Sequence, residues 1–179
     1  KKIINELVGA GAVLSKDINK KIASTSTSDI SIYECINFAR GAVTPSLNPK
    51  AIECLEKSIK KDPNYADAWI WLADRKRAQH SSFSMTNEFK YMLEEASKEI
   101  DRGLILDPEH AFGYSTKLQI EFYKNNWQEM FNVAEKAYSL AGERPHLLGK
   151  IGYSLAYGGQ CEKEDIYKST DELKSVKNL

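Results

Sequence analysis

The dipeptide Asp62-Pro63 is echoed by Asp107-Pro108, and each closes an amphipathic stretch of the same design. Proline disfavours the helical conformation in the residue before it, so a helix must stop near each of these points. AIECLEKSIKKDP leads to the first, with Ala51, Leu55, Ser58 and Ile59 at helical spacing. ASKEIDRGLILDP leads to the second, with Ala96, Ile100, Gly103 and Leu104 at the same intervals. The segments after the two prolines are also alike, NYADAWIWLAD against EHAFGYSTKLQ, which sets Ala66, Ala68 and Trp69 opposite Ala111, Gly113 and Tyr114. Small residues there let paired helices approach, and the aromatic fills the space between units. A repeated helix–turn–helix cannot bury its apolar face alone, so its units must stack in a row.

This pattern resembles the tetratricopeptide repeat, a 34-residue helix–turn–helix with a Trp-Leu-Gly-Tyr, Ala, Phe, Pro signature. With Pro63 as a closing proline, the first unit covers 31–65 and puts Ala51, Leu55 and Ser58 on the small, large, small positions of its second helix. The second covers 66–110, with Trp69, Leu72 and Ala73 on signature positions. The third covers 111–144, with Tyr114, Leu118, Ala134 and Ala137, and Gly142 replaces its closing proline by ending the helix in a left-handed conformation. The fourth covers 145–179, with Leu148, Ile151, Gly152 and Leu155, a turn at Gly158-Gly159 and a last helix from about Cys161 to Val176. The two prolines stand 45 residues apart, so the second unit carries a surplus of about eleven over the family length, placed at 78–89 where Ser, Thr and Asn cluster. Its helices are expected at about Ala66–Ala78 and Glu88–Leu106. Residues 1–24 read as a leading helix, and 25–30 as a polar linker that ends in a helix cap. The resemblance implies an all-α fold, a right-handed α-α superhelix of about four helix pairs plus an N-terminal helix.

Twenty-five Lys and Arg balance 25 Asp and Glu, without the basic excess that phosphate neutralisation demands of a nucleic-acid module. The apolar stretch Leu7–Leu14 is far shorter than the roughly 20 residues of a membrane span, and no cleavage site follows it. A start at Lys1-Lys2 without methionine reads as a piece of a longer protein. Cys35, Cys54 and Cys161 form an odd set without CxxC spacing, which predicts reduced thiols in a cytoplasmic setting over a disulfide framework. Cys35 and Cys54 fall on core positions of the first unit, where they can face one another.

Catalytic chemistry finds no foothold. His80, His110 and His146 are scattered over a loop and two helix starts without metal-ligand spacing, and read as surface or capping residues. Gly9-Ala10-Gly11 lacks a preceding strand and reads as close helix packing, and no phosphate-binding loop or nucleophile elbow is present. Glu94, Glu95 and Glu99 alternate with Lys90 and Lys98 in the manner of a solvated helix face. No enzyme activity, cofactor or metal is expected.

In solenoids of this type the first helices of successive repeats line a concave groove that receives a protein segment. Repeat numbering places Tyr33, Ile36, Arg40, Asp67, Ile70, Asp74, Arg77, Phe112, Ser115, Gln119, Phe122, Tyr153 and Tyr157 on that face, a mixture of aromatics and both charge signs suited to a protein partner. Clamping of a peptide's terminal carboxylate, which uses Lys and Asn at set positions, is not expected, since Ile36, Arg40, Trp71, Phe112 and Thr116 stand there. The whole arrangement, with ISIYECINFARG opening the first unit and LLGKIGYSLAYGGQCEKE the last, is similar to the repeat module of bacterial regulators that carry an amino-terminal winged-helix domain, invasion-gene activators among them. The same module follows the catalytic domain of some class III adenylate cyclases. The resemblance implies a regulatory, protein-binding half of a bacterial transcription regulator. An accessory domain of a cyclase-type enzyme and a homo-oligomerisation module are the competing readings, and a small-ligand sensor with the 78–89 insertion over a pocket ranks below them.

Overall fold

The computed structural model describes residues 30–42, 44–79 and 86–157. Seven α-helices, and no strand, follow one another among these residues. They are α1 (Ile32–Gly41), α2 (Asn48–Lys61), α3 (Ala66–Arg77), α4 (Asn87–Leu106), α5 (Ala111–Tyr123), α6 (Trp127–Ala141) and α7 (Pro145–Tyr157). The expected leading helix at 1–24, the linker as far as Asp29, half of the insertion (80–85) and the last helix at 161–176 lie outside the described residues, as do His80 and Cys161.

Local sequence sets the helix boundaries. Ser31 opens α1 with a reciprocal capping box: its hydroxyl accepts from the Glu34 N–H at 3.2 Å, and the Glu34 carboxylate accepts from the Ser31 N–H at 3.0 Å. The cap therefore lies one residue past the 25–30 linker expected to end in it. At the two Asp-Pro sites the backbone repeats itself. Asp62 (φ −141°, ψ 95°) and Asp107 (φ −135°, ψ 90°) leave the helix in extended conformations, as the following proline requires. Each carboxylate then accepts from the N–H two residues on, Asp62 from Asn64 at 2.9 Å and Asp107 from Glu109 at 3.2 Å.

The third unit closes differently at both ends. Between α5 and α6, Asn125 takes a positive φ of 56°, while the Asn126 N–H donates to Glu121 O at 2.9 Å and the Asn125 N–H to Phe122 O at 3.1 Å. This is a Schellman closure with asparagine where glycine is usual. Gly142 ends α6 with φ 55° and ψ −141°. Its φ is positive, as expected, but its ψ lies outside the left-handed helical region, in a conformation that only glycine adopts without strain.

Consecutive helices pack as antiparallel pairs, α1 with α2, α3 with α4 and α5 with α6, and α7 adds the first helix of a further unit. The odd-numbered helices also touch the next odd-numbered one (α1·α3, α3·α5 and α5·α7), whereas the even-numbered helices make no comparable contacts with one another. The row is thus tighter along its odd-numbered side, which becomes the inner, concave face. Three apolar clusters follow one another along it: Phe38 and Leu55 anchor the first, Ile70 and Ile100 the second, and Leu118, Met130 and Ile151 the third. The result is an all-α helical-repeat solenoid.

Two close approaches depend on missing side chains. A Cβ on Gly103 would stand 2.6 Å from Ile70 Cγ1 and 3.3 Å from both the Ile70 backbone nitrogen and Trp69 Cβ. A Cβ on Gly113 would stand 2.8 Å from Leu104 Cδ2. Ser58, the counterpart of Gly103 in the preceding unit, is buried and returns its hydroxyl to Cys54 O at 3.0 Å.

Cys35 of α1 and Cys54 of α2 are joined by a disulfide, their Cα atoms 5.6 Å apart. The expectation of reduced thiols is corrected here. A spacing of 19 residues carries no motif, and only the antiparallel pairing of α1 with α2 brings the two sulfurs together.

Stability measurements can check both features. Gly103→Ala should lower the unfolding free energy by about 1–3 kcal/mol through overpacking against Ile70, whereas Gly149→Ala, with no described residue within 4 Å of the added methyl, should raise it by about 0.5–1 kcal/mol. Urea unfolding of the two variants checks the pair. Adding reductant should lower the urea midpoint of the parent protein, removing about 2–4 kcal/mol, and should leave a Cys35→Ala/Cys54→Ala variant unmoved.

Candidate functional site

The concave face is assembled from α1, α3, α5 and α7. Asp67, Trp71 and Asp74 recur along one side of α3, while Phe112, Ser115 and Gln119 do the same on α5, and Lys150, Tyr153 and Tyr157 on α7. An unbroken chain of side-chain contacts crosses all four helices. Arg40 of α1 reaches Asp67 of α3 at 3.8 Å and lies 5.7 Å from the centre of the Trp71 ring. Trp71 stacks on Phe112 of α5 with centroids 4.3 Å apart, and Lys150 of α7 sits 4.5 Å from the centre of the Phe112 ring. Further along, Phe122 meets Tyr153 edge-on, and Tyr153 packs on Tyr157 at 4.5 Å.

The electrostatic centre of this face is Asp74. Its carboxylate pairs with the Arg75 guanidinium, accepts from Arg77 Nη2 at 2.7 Å and lies 3.7 Å from Lys150 Nζ. Burial pushes this carboxyl up, but the charges of Arg77, Lys150 and Arg75 outweigh burial and hold it well below the usual carboxylate range. Arg75 also ties the repeats together. Its Nη1 donates to Ala42 O at the end of α1 (2.7 Å), and its own carbonyl accepts from Asn48 Nδ2 at the start of α2 (2.8 Å).

A second polar node stands where α3 and α5 begin. His110 Nδ1 accepts from the Gly113 N–H at 3.0 Å and so caps α5. The proton is therefore left on Nε2, which donates to Asp67 Oδ1 at 2.7 Å. This hydrogen bond is the main reason the Asp67 carboxyl lies below its ordinary value.

The residues assigned to the face from sequence divide by burial. Tyr33, Arg40, Tyr153 and Tyr157 are exposed, and Asp67, Arg77, Phe112 and Gln119 are half-buried. Ile36, Ile70, Asp74, Ser115 and Phe122 are buried among neighbouring helices. Each odd-numbered helix packs on its own partner and on the odd-numbered helices beside it, so its open stripe is narrower than repeat numbering suggests. Trp71, named from sequence only as a clamp position, and Arg75 and Lys150, which repeat numbering does not assign, belong to the contact chain. Trp71 lies one turn from Asp67 and Lys150 one turn from Tyr153, so spacing alone could have placed both. Glu99, expected on a solvated face with Glu95, is instead buried and paired with Lys76, while Glu95 does pair with Lys98 at 2.8 Å. Burial pushes the Glu99 carboxyl up to about 7 against the pull of Lys76.

No helix among the described residues is long and apolar enough to cross a membrane. No family model and no curated protein matches the sequence. Among solved structures, the chain is similar to a thermophilic TPR protein of Thermus thermophilus, with a TM-score of 0.61 at 13% identity over 99% of this chain and 95% of that one. The likeness is one of fold: a tetratricopeptide-like helical repeat.

Asp74 and Glu99 titrate in opposite senses. Asp74 is more acidic folded than unfolded, so its contribution to stability is present above about pH 4 and is lost as the pH falls below that. Glu99 is less acidic folded, so its contribution is full below about pH 4 and is lost as the pH rises through 7. Glu99→Gln should therefore flatten the decline in stability between about pH 5 and 8. Asp74→Asn should cost about 3–5 kcal/mol at neutral pH by stranding its cations. Denaturant unfolding across pH tests both.

Proposed function

We propose that the chain is a non-catalytic interaction module, with repeats at 31–65, 66–110, 111–144 and 145–179, that receives a segment of another protein, or of another domain of its own, along the face of α1, α3, α5 and α7. The observation that carries this reading is the contact chain from Arg40 through Asp67, Trp71 and Phe112 to Lys150. It presents aromatic and cationic groups side by side, the composition from which protein-binding hot spots are built. Tyr33, Tyr153 and Tyr157 stand exposed along the same helices, and rigid amphipathic rings of this kind give contact area at low entropic cost.

The finer reading is the regulatory half of a bacterial transcription regulator, supported by the enlarged second unit and the segments ISIYECINFARG and LLGKIGYSLAYGGQCEKE. That reading places the chain in the cytoplasm, where disulfides are uncommon. The Cys35–Cys54 bond pulls the other way, and counting thiols in protein purified without reductant weighs the two.

The groove reading is tested by selecting peptides against the protein and mapping the bound peptide by amide resonances. Shifts should concentrate on α1, α3, α5 and α7, and Trp71→Ala should weaken binding by about 2 kcal/mol or more, as for a hot-spot aromatic. Binders that shift only α2, α4 and α6 would rule the concave face out.

A further inference from the structure

Charge on the concave face is out of balance. Around Asp74, only 1% exposed, stand Arg75, Arg77 and Lys150, so the cluster carries two positive charges in excess. Asp67, the other carboxylate on this side of α3, is already engaged by Arg40 and His110. The Lys150 ammonium is pushed below the ordinary lysine value by burial and then by Arg77 and Arg75, with Asp74 offsetting only part of this. Among the described residues two donors are also left over, alongside unpartnered acceptors such as Asn48 Oδ1 and Gln119 Oε1. The Nε atoms of Arg75 and Arg77 are buried without a hydrogen-bond partner among the described residues. A buried cluster that served packing alone would match its charges and donors, because unmatched ones cost free energy.

The surroundings narrow the ligand. The cluster adjoins the Trp71–Phe112 stack, so a cationic spot and an aromatic platform lie side by side. Arg77 and Lys150 keep 11% and 29% of their side chains exposed, enough to be reached from the groove. Nucleic acid would call for a track of phosphate contacts, whereas the chain as a whole balances 25 cations with 25 anions. A compact cationic cluster with two charges in excess, set beside an aromatic pair, suits a carboxylate flanked by an apolar residue.

We infer that the concave face recognises a protein segment through an Asp or Glu side chain, seated between Arg77 and Lys150 with its apolar neighbour against the Trp71–Phe112 stack. This rests on the groove reading and adds to it the charge and position of the recognised residue.

The test pans a random dodecapeptide library, displayed within a longer chain so that no peptide offers a free terminal carboxylate. The best groove binder is then synthesised with acetylated and amidated ends, together with its Asn/Gln counterpart. Calorimetry should show the acidic peptide binding about tenfold tighter or more, with the advantage shrinking as sodium chloride rises from about 50 to about 200 mM and the screening length is roughly halved. Lys150→Gln, checked for folding by its urea midpoint, should remove most of the discrimination, and Lys90→Gln on α4 should not. If Lys150→Gln does not fold, the salt dependence and the Asn/Gln comparison on the parent protein decide the matter.

Equal affinity of the two peptides at the groove would overturn the acidic-residue inference and leave the groove reading standing. Peptides that bind without shifting α1, α3, α5 or α7 would overturn the groove reading itself. Preference for a free C-terminal carboxylate, or displacement of the peptide by a twelve-residue oligothymidine at equal concentration, would overturn the inference in favour of those ligands.

Discussion

Arg75 is the hinge-pin of this array. A guanidinium donates several hydrogen bonds from one plane, and Arg75 uses them in two directions, towards Ala42 O at the end of α1 and towards Asp74 beside it. Its carbonyl is meanwhile held by Asn48 at the start of α2. One residue therefore fixes the loop between α1 and α2 against the end of α3, and so sets the angle between the first two units. Without Asp74 the guanidinium would be a buried charge unpaired, and without Arg75 the carbonyl of Ala42 would lose its donor. The same carboxylate extends the arrangement to Lys150 of α7, so polar contacts run from the first unit to the fourth.

The apolar core is organised on a different plan. Repetition gives each unit the same small and large residues at the same places, and burial then follows from stacking. The polar network does not repeat: Asp74 and Arg75 of α3 correspond to Gln119 and Ile120 of α5. Stability is distributed along the row, whereas the charged centre occurs once among the described residues. A site that occurs once within a repeated frame is where a particular partner can be distinguished from any other.

Much of the frame was legible in the sequence because proline and helical periodicity act locally. Asp62-Pro63 and Asp107-Pro108 end α2 and α4 whatever surrounds them, and Ala66–Arg77 and Asn87–Leu106 lie within a residue of their expected ends. Features that depend on three-dimensional neighbours were less legible. Asp74 falls on the inner face by numbering and Arg75 draws no assignment, because nothing in their spacing shows that neighbouring helices bury the pair. Ile36, Ile70 and Ser115 fall on the inner face by numbering, yet adjoining helices cover them. Periodicity puts Cys35 and Cys54 in one core, but spacing cannot say whether they bond.

Ile70 touches the space beside two glycines from different units, with its Cγ1 against Gly103 and its Cδ1 against Gly113. Three positions on three different helices thus share a single small volume. Whatever one of them gains, another must give up, since Ile70 is stiff at its first torsion and the backbones around it leave no slack. Divergence among relatives should then act on the triplet as a unit: a bulkier residue at 103 or 113 tolerated only beside a slimmer one at 70. Correlated drift of that kind can be recognised even where the separate residues have lost any likeness.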